Sequence, residues 1–291
     1  VGAINYAKLF FAFSIFFWLT HILASIIRGL GNTYIPSKAI VIGSLCQIIL
    51  SYVFTFGIYD SFKFGILGPI ICQIIMMAYL SYYLIFKQSI LKVKFHKFSN
   101  LIFIDIMKVG GLGLLNSITI ALTVGVMTGY IGNFGPNALA GYGIGARLEL
   151  ILTPIIFGIG AALTASVSIN FGSKQFARAR KIAFTGGIVC FLIIGFIGLF
   201  INLFPQFLYQ NFSSNPDVIK YCLKYILIVT PFYCLFGFGQ AIYFSSQGTG
   251  KMIKPILVGI LRFSCVVLFG YLAVSRNCLL YTSPSPRDRT R

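Results

Sequence analysis

One carboxylate stands deep inside an apolar run. Glu149 lies in LAGYGIGARLELILTPIIFGIGAALTASVSINFG, residues 139–172. An ionisable side chain in hydrocarbon is costly and is a functional hypothesis by default. At 3.6 residues per turn its face continues through Thr153, Ile156, Gly160 and Thr164, so the polar and small residues form one stripe that should face protein or water. Arg147 is about 200° round the helix from Glu149, so the two cannot pair within it. Pro154 removes the helical donor of the Leu150 carbonyl and predicts a kink. A carboxylate beside a freed carbonyl suits a cation or proton site, with Glu149 and Thr153 as the ion-coupling residues. The bland alternative is a structural carboxylate held by a basic residue or by hydroxyls.

Other candidates are polar residues at helical spacing in apolar runs. Asn116, Thr119 and Thr123 share a face and make either interhelical hydrogen bonds or a cavity wall. Tyr233, Gly237, Gln240 and Phe244 share another, below a second kink at Pro231. Aromatic, amide and imidazole groups (Tyr233, Gln240 and His21) suit a small organic cation, and they also suit ordinary packing. Arg147 completes the candidate cavity set.

Enzyme chemistry has no foothold. The two His, His21 and His96, have no carboxylate at ligand spacing, and HExxH and GxxxxGK[ST] do not occur. The seven Cys are scattered without CxxC spacing and read as packing residues, so no metal site and no cofactor is expected. GYGIGA follows no strand and reads as close helix packing.

The elements that must position these residues are membrane helices. The 291 residues are 58% hydrophobic and 10% charged, too apolar for a soluble domain of this size. Eight spans are expected, near 6–27, 39–56, 66–86, 110–130, 138–169, 182–203, 221–244 and 256–274. The class is all-α, polytopic. The net charge of +18 would suggest nucleic acid in a soluble protein. Here most basic residues sit in turns, where membrane topology and anionic lipid explain them, so lipid and not nucleic acid is the expected partner. Arg28, Lys38, 87–108, 174–181, Lys251 and Lys254 fall on one face, A, which is therefore expected to be cytoplasmic. Face B receives Asp60, Lys63, Asp217, Lys220 and the uncharged GNFGPN turn.

The chain divides by composition. Residues 1–87 hold three spans, 88–108 form a basic linker, and 109–277 hold five spans. Residues 278–291, CLLYTSPSPRDRTR, look like a translated library-adapter string and are not expected to belong to the fold. Val1 in place of Met, entering a span at once, suggests that the true start lies upstream.

Two turns repeat. RGLGNTYIP (28–36) and QGTGKMIKP (247–255) share Gly29/Gly248, Gly31/Gly250 and Pro36/Pro255 at equal offsets. Upstream in the same register Tyr6 meets Tyr225, Phe13 meets Phe232, Phe17 meets Phe236 and His21 meets Gln240. Equal orientation in both copies means a parallel repeat about an axis along the membrane normal, a transporter layout.

The run from Phe134 to Lys181 closely resembles the eighth helix and following turn of the multidrug and toxic compound extrusion (MATE) family. YFSSQGTGKMIKP and SIIRGLGNTYIP look like that family's turns after helices ten and four. The resemblance covers about residues 6–274 and implies helices four to eleven of a twelve-helix, two-lobed antiporter, with no enzymatic activity. It implies export of cationic drugs or metabolites in exchange for H⁺ or Na⁺, by a multi-pass monomer in the bacterial inner membrane. Family branches couple through a Glu in helix seven, where this chain has Asn116, Ser117, Thr119 and Ile120, or through an Asp in helix one. Either Glu149 shares that work or the principal acid lies upstream. A lipid-linked oligosaccharide flippase of the same superfamily is the first rival; it would want several cationic residues facing the cavity. A membrane-embedded transferase is the second, and would need an acid/base or metal cluster.

Overall fold

A computed structural model describes residues 2–58, 64–87, 98–209 and 212–275. Among the described residues every regular element is helical. The helices are α1 (Gly2–Ala12), α2 (Ser14–Gly29), α3 (Tyr34–Tyr52), α4 (Leu67–Tyr82), α5 (Asn100–Gly132), α6 (Pro136–Gly172), α7 (Phe176–Leu203), α8 (Gln206–Tyr209), α9 (Pro216–Val229), α10 (Tyr233–Thr249) and α11 (Ile253–Ser275). Wide π-helical turns extend α3 over Val53–Ile58 and α4 over Tyr83–Lys87. Among the described residues seven segments are long and apolar enough to cross a membrane, with α9 and α10 joined as one. Large apolar side chains such as Trp18, Leu122, Phe196 and Phe269 are exposed. That is the surface a helix presents when lipid is its solvent.

The chain forms two compact units, Val1–Phe98 and Ser99–Arg291. In the first, α4 packs on α3 and α2 around Ala24, Ile27, Ala39, Leu80 and Leu84. Asn32 Nδ2 donates to Tyr83 Oη at 2.8 Å and ties the turn after α2 to the end of α4. In the second, α6 packs on α7, α9 and α10, while α11 packs on α5. Its core runs through Leu148, Leu152 and Ile156 of α6, Ile194 of α7, Ile226 of α9, and Tyr233 and Phe244 of α10. Apolar lipid gives helices no hydrophobic reason to associate, so close backbone approach at small residues supplies the packing. Gly237 of α10 lies against the Cys190 carbonyl of α7, and Gly248 against the Thr164 carbonyl of α6.

The repeated turns share their local geometry. Gly31 and Gly250 adopt φ of 89° and 72°, the left-handed region open to glycine. Three residues later α3 and α11 begin at Tyr34 and Ile253, with Pro36 and Pro255 each third in its helix. A proline in the first turn lacks only a donor that the helix would leave unpaired. Gly29 and Gly248 differ from the expectation: both lie in the last turn of a helix, not in the loop.

Two other expectations are corrected. The linker over 88–108 is helical from Asn100 onward, and 88–97 lie outside the described residues. At 33 residues α5 is about 50 Å long and outruns the roughly 30 Å hydrocarbon layer, so its first turns carry the Asp105–Lys108 ion pair. The first span is not continuous either. It breaks at Phe13 between α1 and α2, at the position equivalent to Phe232, where a 3₁₀ turn over Thr230–Phe232 separates α9 from α10.

Pro231 explains the second break, since it cannot donate to the Leu227 carbonyl. Asn202 of α7 compensates. Its Nδ2 lies 3.4 Å from the Leu227 carbonyl, 3.5 Å from that of Ile226 and 3.0 Å from Thr230 Oγ1. The tail 278–291 lies outside the described residues.

Candidate functional site

Glu149 is half-buried on the side of α6 that meets α9. Tyr225 Oη of α9 donates to Glu149 Oε1 at 2.9 Å. Gly145, one turn before Glu149, makes this possible: a side chain there would meet the Tyr225 ring. Tyr142, one turn earlier again, packs edge-on against Tyr225 with ring centroids 5.6 Å apart. Tyr233 opens α10 in the core, 3% exposed, within electrostatic reach of Tyr225 and Glu149. Its hydroxyl makes no hydrogen bond of good geometry among the described residues. Glu149 Oε2 likewise has no hydrogen-bonding or ionic partner among them, leaving one carboxylate oxygen for a proton or cation.

Thr153 does not touch that carboxylate. Its hydroxyl donates to the Glu149 backbone carbonyl one turn back, a common outlet for Thr in membrane helices. Further along the stripe, Gly160 admits the Phe244 ring and Thr164 Oγ1 donates to the Phe244 carbonyl at 2.8 Å. The stripe therefore packs on α9 and α10 of its own unit. The helix runs through Pro154 without interruption.

Beside this cluster a cavity of about 360 Å³ is lined by Tyr130, Tyr142, Tyr221, Lys224 and Tyr225. Tyr130 is fixed there by α11: its hydroxyl donates to the Val267 carbonyl at 3.0 Å and its ring lies on Gly270.

A second cavity of about 550 Å³ lies among α5, α10 and α11. Asn116, Gln240, Tyr243, Ser246, Lys254 and Arg262 supply its polar wall, and Phe236 and Val258 part of its apolar one. Asn116 reaches it because Gly259 of α11 has no side chain; a Cβ there would lie 3.2 Å from Asn116 Oδ1.

Asn116 and Gln240 therefore come together, and Thr119 faces α11 beside them, 3.6 Å from the same Gly259 position. Thr119 and Thr123 otherwise return their hydroxyls to carbonyls of their own helix. Tyr233 is not in that cavity, because Tyr233, Gly237, Ala241 and Phe244 form the buried face of α10 and Gln240 lies off it. Arg147 points outward, its guanidinium 4.9 Å from the Phe212 ring. His21 is exposed in the first unit. Sequence reasoning missed Tyr225 as the Glu149 partner, and Lys254 and Tyr243 as cavity residues. Tyr225 carried one signal, its place in the repeat register.

The family model described as MatE matches residues 109–272. A probable multidrug resistance protein, YoeA of Bacillus subtilis, is 21% identical over 267 residues, covering 88% of this chain and 57% of the relative. A probable multidrug resistance protein NorM of Thermotoga maritima is 24% identical over 264 residues, covering 88% and 56%. The solved structure of a MOP superfamily transporter from Pyrococcus furiosus superposes with a TM-score of 0.86 at 20% identity, covering 94% of this chain and 62% of that one. The chain thus spans 56–62% of the length of these relatives.

Proposed function

The chain belongs to the MatE family, and from that premise we propose that it forms part of a secondary active exporter of small organic cations, driven by exchange for H⁺ or Na⁺ across a bacterial inner membrane. The observation that carries the coupling role is the Glu149–Tyr225 pair, a half-buried carboxylate deep in a span with one oxygen bonded and the other open. Tyr225 holds the carboxylate in one orientation. Proton or Na⁺ uptake at Oε2 neutralises a charge that is costly in the membrane, and release restores it. The tyrosine-lined cavity beside it supports the cargo reading, since aromatic faces attract organic cations. Proline- and glycine-marked turns repeated in both units support a rocking two-lobed layout.

The test is Glu149→Gln in the complete protein, reconstituted into proteoliposomes. Ion-driven ethidium export is expected to be lost while expression is retained. Unchanged transport would remove Glu149 from coupling.

A further inference from the structure

Three sulfur atoms meet in the first unit. Gly43 of α3 lies against the Met76 thioether of α4, and Gly68, near the start of α4, lies against the backbone and hydroxyl of Ser51 of α3. Gly43 and Ser51 are eight residues apart, as are Gly68 and Met76, so the two helices run antiparallel in one register between these contacts. In that register Cys46, three residues after Gly43, falls level with Gln73 and so beside Cys72. The thiols of Cys46 and Cys72 lie within electrostatic reach of each other. Both are free, and with Met76 they line one cavity of about 490 Å³ between α3 and α4. No CxxC spacing announces the pair, because two different helices make it.

The rest of that cavity does not suit a hard ion. No carboxylate or imidazole lines it, and its one charged residue, Lys38, stands eight residues from Cys46, about 12 Å along α3. Among the described residues no three His, Cys, Asp or Glu side chains gather as a zinc or calcium site would need. Here the third donor is a thioether, and two thiols with a thioether are a donor set that selects soft ions.

We propose that Cys46, Cys72 and Met76 bind a soft divalent cation of the Hg(II) class within the membrane span. The ion replaces the two thiol protons, which leave to water, and forms one bond to each thiolate sulfur. The Met76 sulfur adds a weaker, neutral donor. Two thiolates around a doubly charged ion leave the loaded site neutral, so hydrocarbon imposes no net-charge penalty on it. Zn(II) would lack its fourth donor. The loaded site bridges α3 and α4, and it stands independently of the export reading.

The complete protein in phosphatidylcholine nanodiscs is titrated with Hg(II) in excess glutathione, which outcompetes isolated thiols but not a preformed pair. Equilibrium dialysis counts the retained mercury, and sulfur-to-mercury charge-transfer absorption reports thiolate ligation. Wild type is expected to retain about one equivalent more than Cys46→Ser or Cys72→Ser. Met76→Leu should release that equivalent to glutathione faster, and Cys265→Ser, on α11, should match wild type. Cys46 is exposed, so an equivalent lost on its replacement is not a folding failure. Retention unchanged in Cys46→Ser or Cys72→Ser, or release unchanged in Met76→Leu, overturns the three-sulfur site. Ethidium export by metal-free wild type is read separately, so a failed mercury titration with export intact sinks this inference alone.

Discussion

Tyr225 reaches Glu149 across 76 residues of sequence, its hydroxyl 2.9 Å from Oε1. The bond joins α9 to α6 and fixes which carboxylate oxygen stays open. Hydrogen bonds to charged groups contribute about 1.5–3 kcal/mol. Tyr225→Phe removes the donor and keeps the ring. Its expected effect is a shift of roughly tenfold in the ion concentration for half-maximal export. Ion titration of proteoliposome transport measures it; an unshifted midpoint would show the bond to be structural only.

Gly145→Ala tests the same contact from the other side. A methyl there meets the Tyr225 ring, whereas nothing lies within 4 Å of a methyl on Gly143. Overpacking should cost Gly145→Ala about 1–3 kcal/mol, and Gly143→Ala should be close to neutral. Thermal unfolding in detergent compares them, and equal midpoints would contradict the packing.

Asn202→Leu removes the amide that bonds the Leu227 and Ile226 carbonyls beside Pro231. The Leu227 carbonyl, which Pro231 cannot serve, then loses that donor, while the Ile226 carbonyl keeps the Thr230 hydroxyl and amide. A loss of about 1–3 kcal/mol is expected. Stability equal to wild type would mean that the Leu227 carbonyl finds another donor.

Gly31→Ala and Gly250→Ala force a Cβ into left-handed backbone at φ of 89° and 72°. Each should cost about 1–2 kcal/mol, with asparagine better tolerated than alanine. If alanine and asparagine variants melt together at the wild-type temperature, the strain is absent.

Basic residues sort to one side of the spans, which predicts orientation. In a cysteine-free background, a cysteine at Lys251 should react with impermeant maleimide only from the cytoplasmic side, and one at Asn133 only from outside. The reverse pattern would invert the topology.

Spans and repeated turns were legible because apolar length and Gly/Pro punctuation are local signals. Tyr34 and Ile253 begin their helices at equal offsets, in register with those turns. The break at Phe13 was not legible, since neither proline nor glycine marks it. Nor was the start of α5, because Asn100–Lys108 is polar enough to read as a linker and becomes helix by extending beyond the lipid. Glu149 stands out in sequence as a charge in an oily run. Its partner does not, because Tyr225 is selected by how α9 lies on Gly141 and Gly145. Tyr233 and Gln240 share an arc on a helical wheel, yet the core takes the first and the cavity the second. One helix has several neighbours, and periodicity does not say which neighbour claims which residue.

The matched breaks at Phe13 and Phe232 make two elbows of unequal stiffness. At Pro231 the missing N–H is permanent and Asn202 clasps the bend, so that joint is a fixed hinge pin. At Phe13 the amide still donates to the Leu9 carbonyl at 3.1 Å, and no ring forbids a straight helix. The second bend is thus written into the covalent chain and clasped from α7, whereas the first rests on neither device among the described residues.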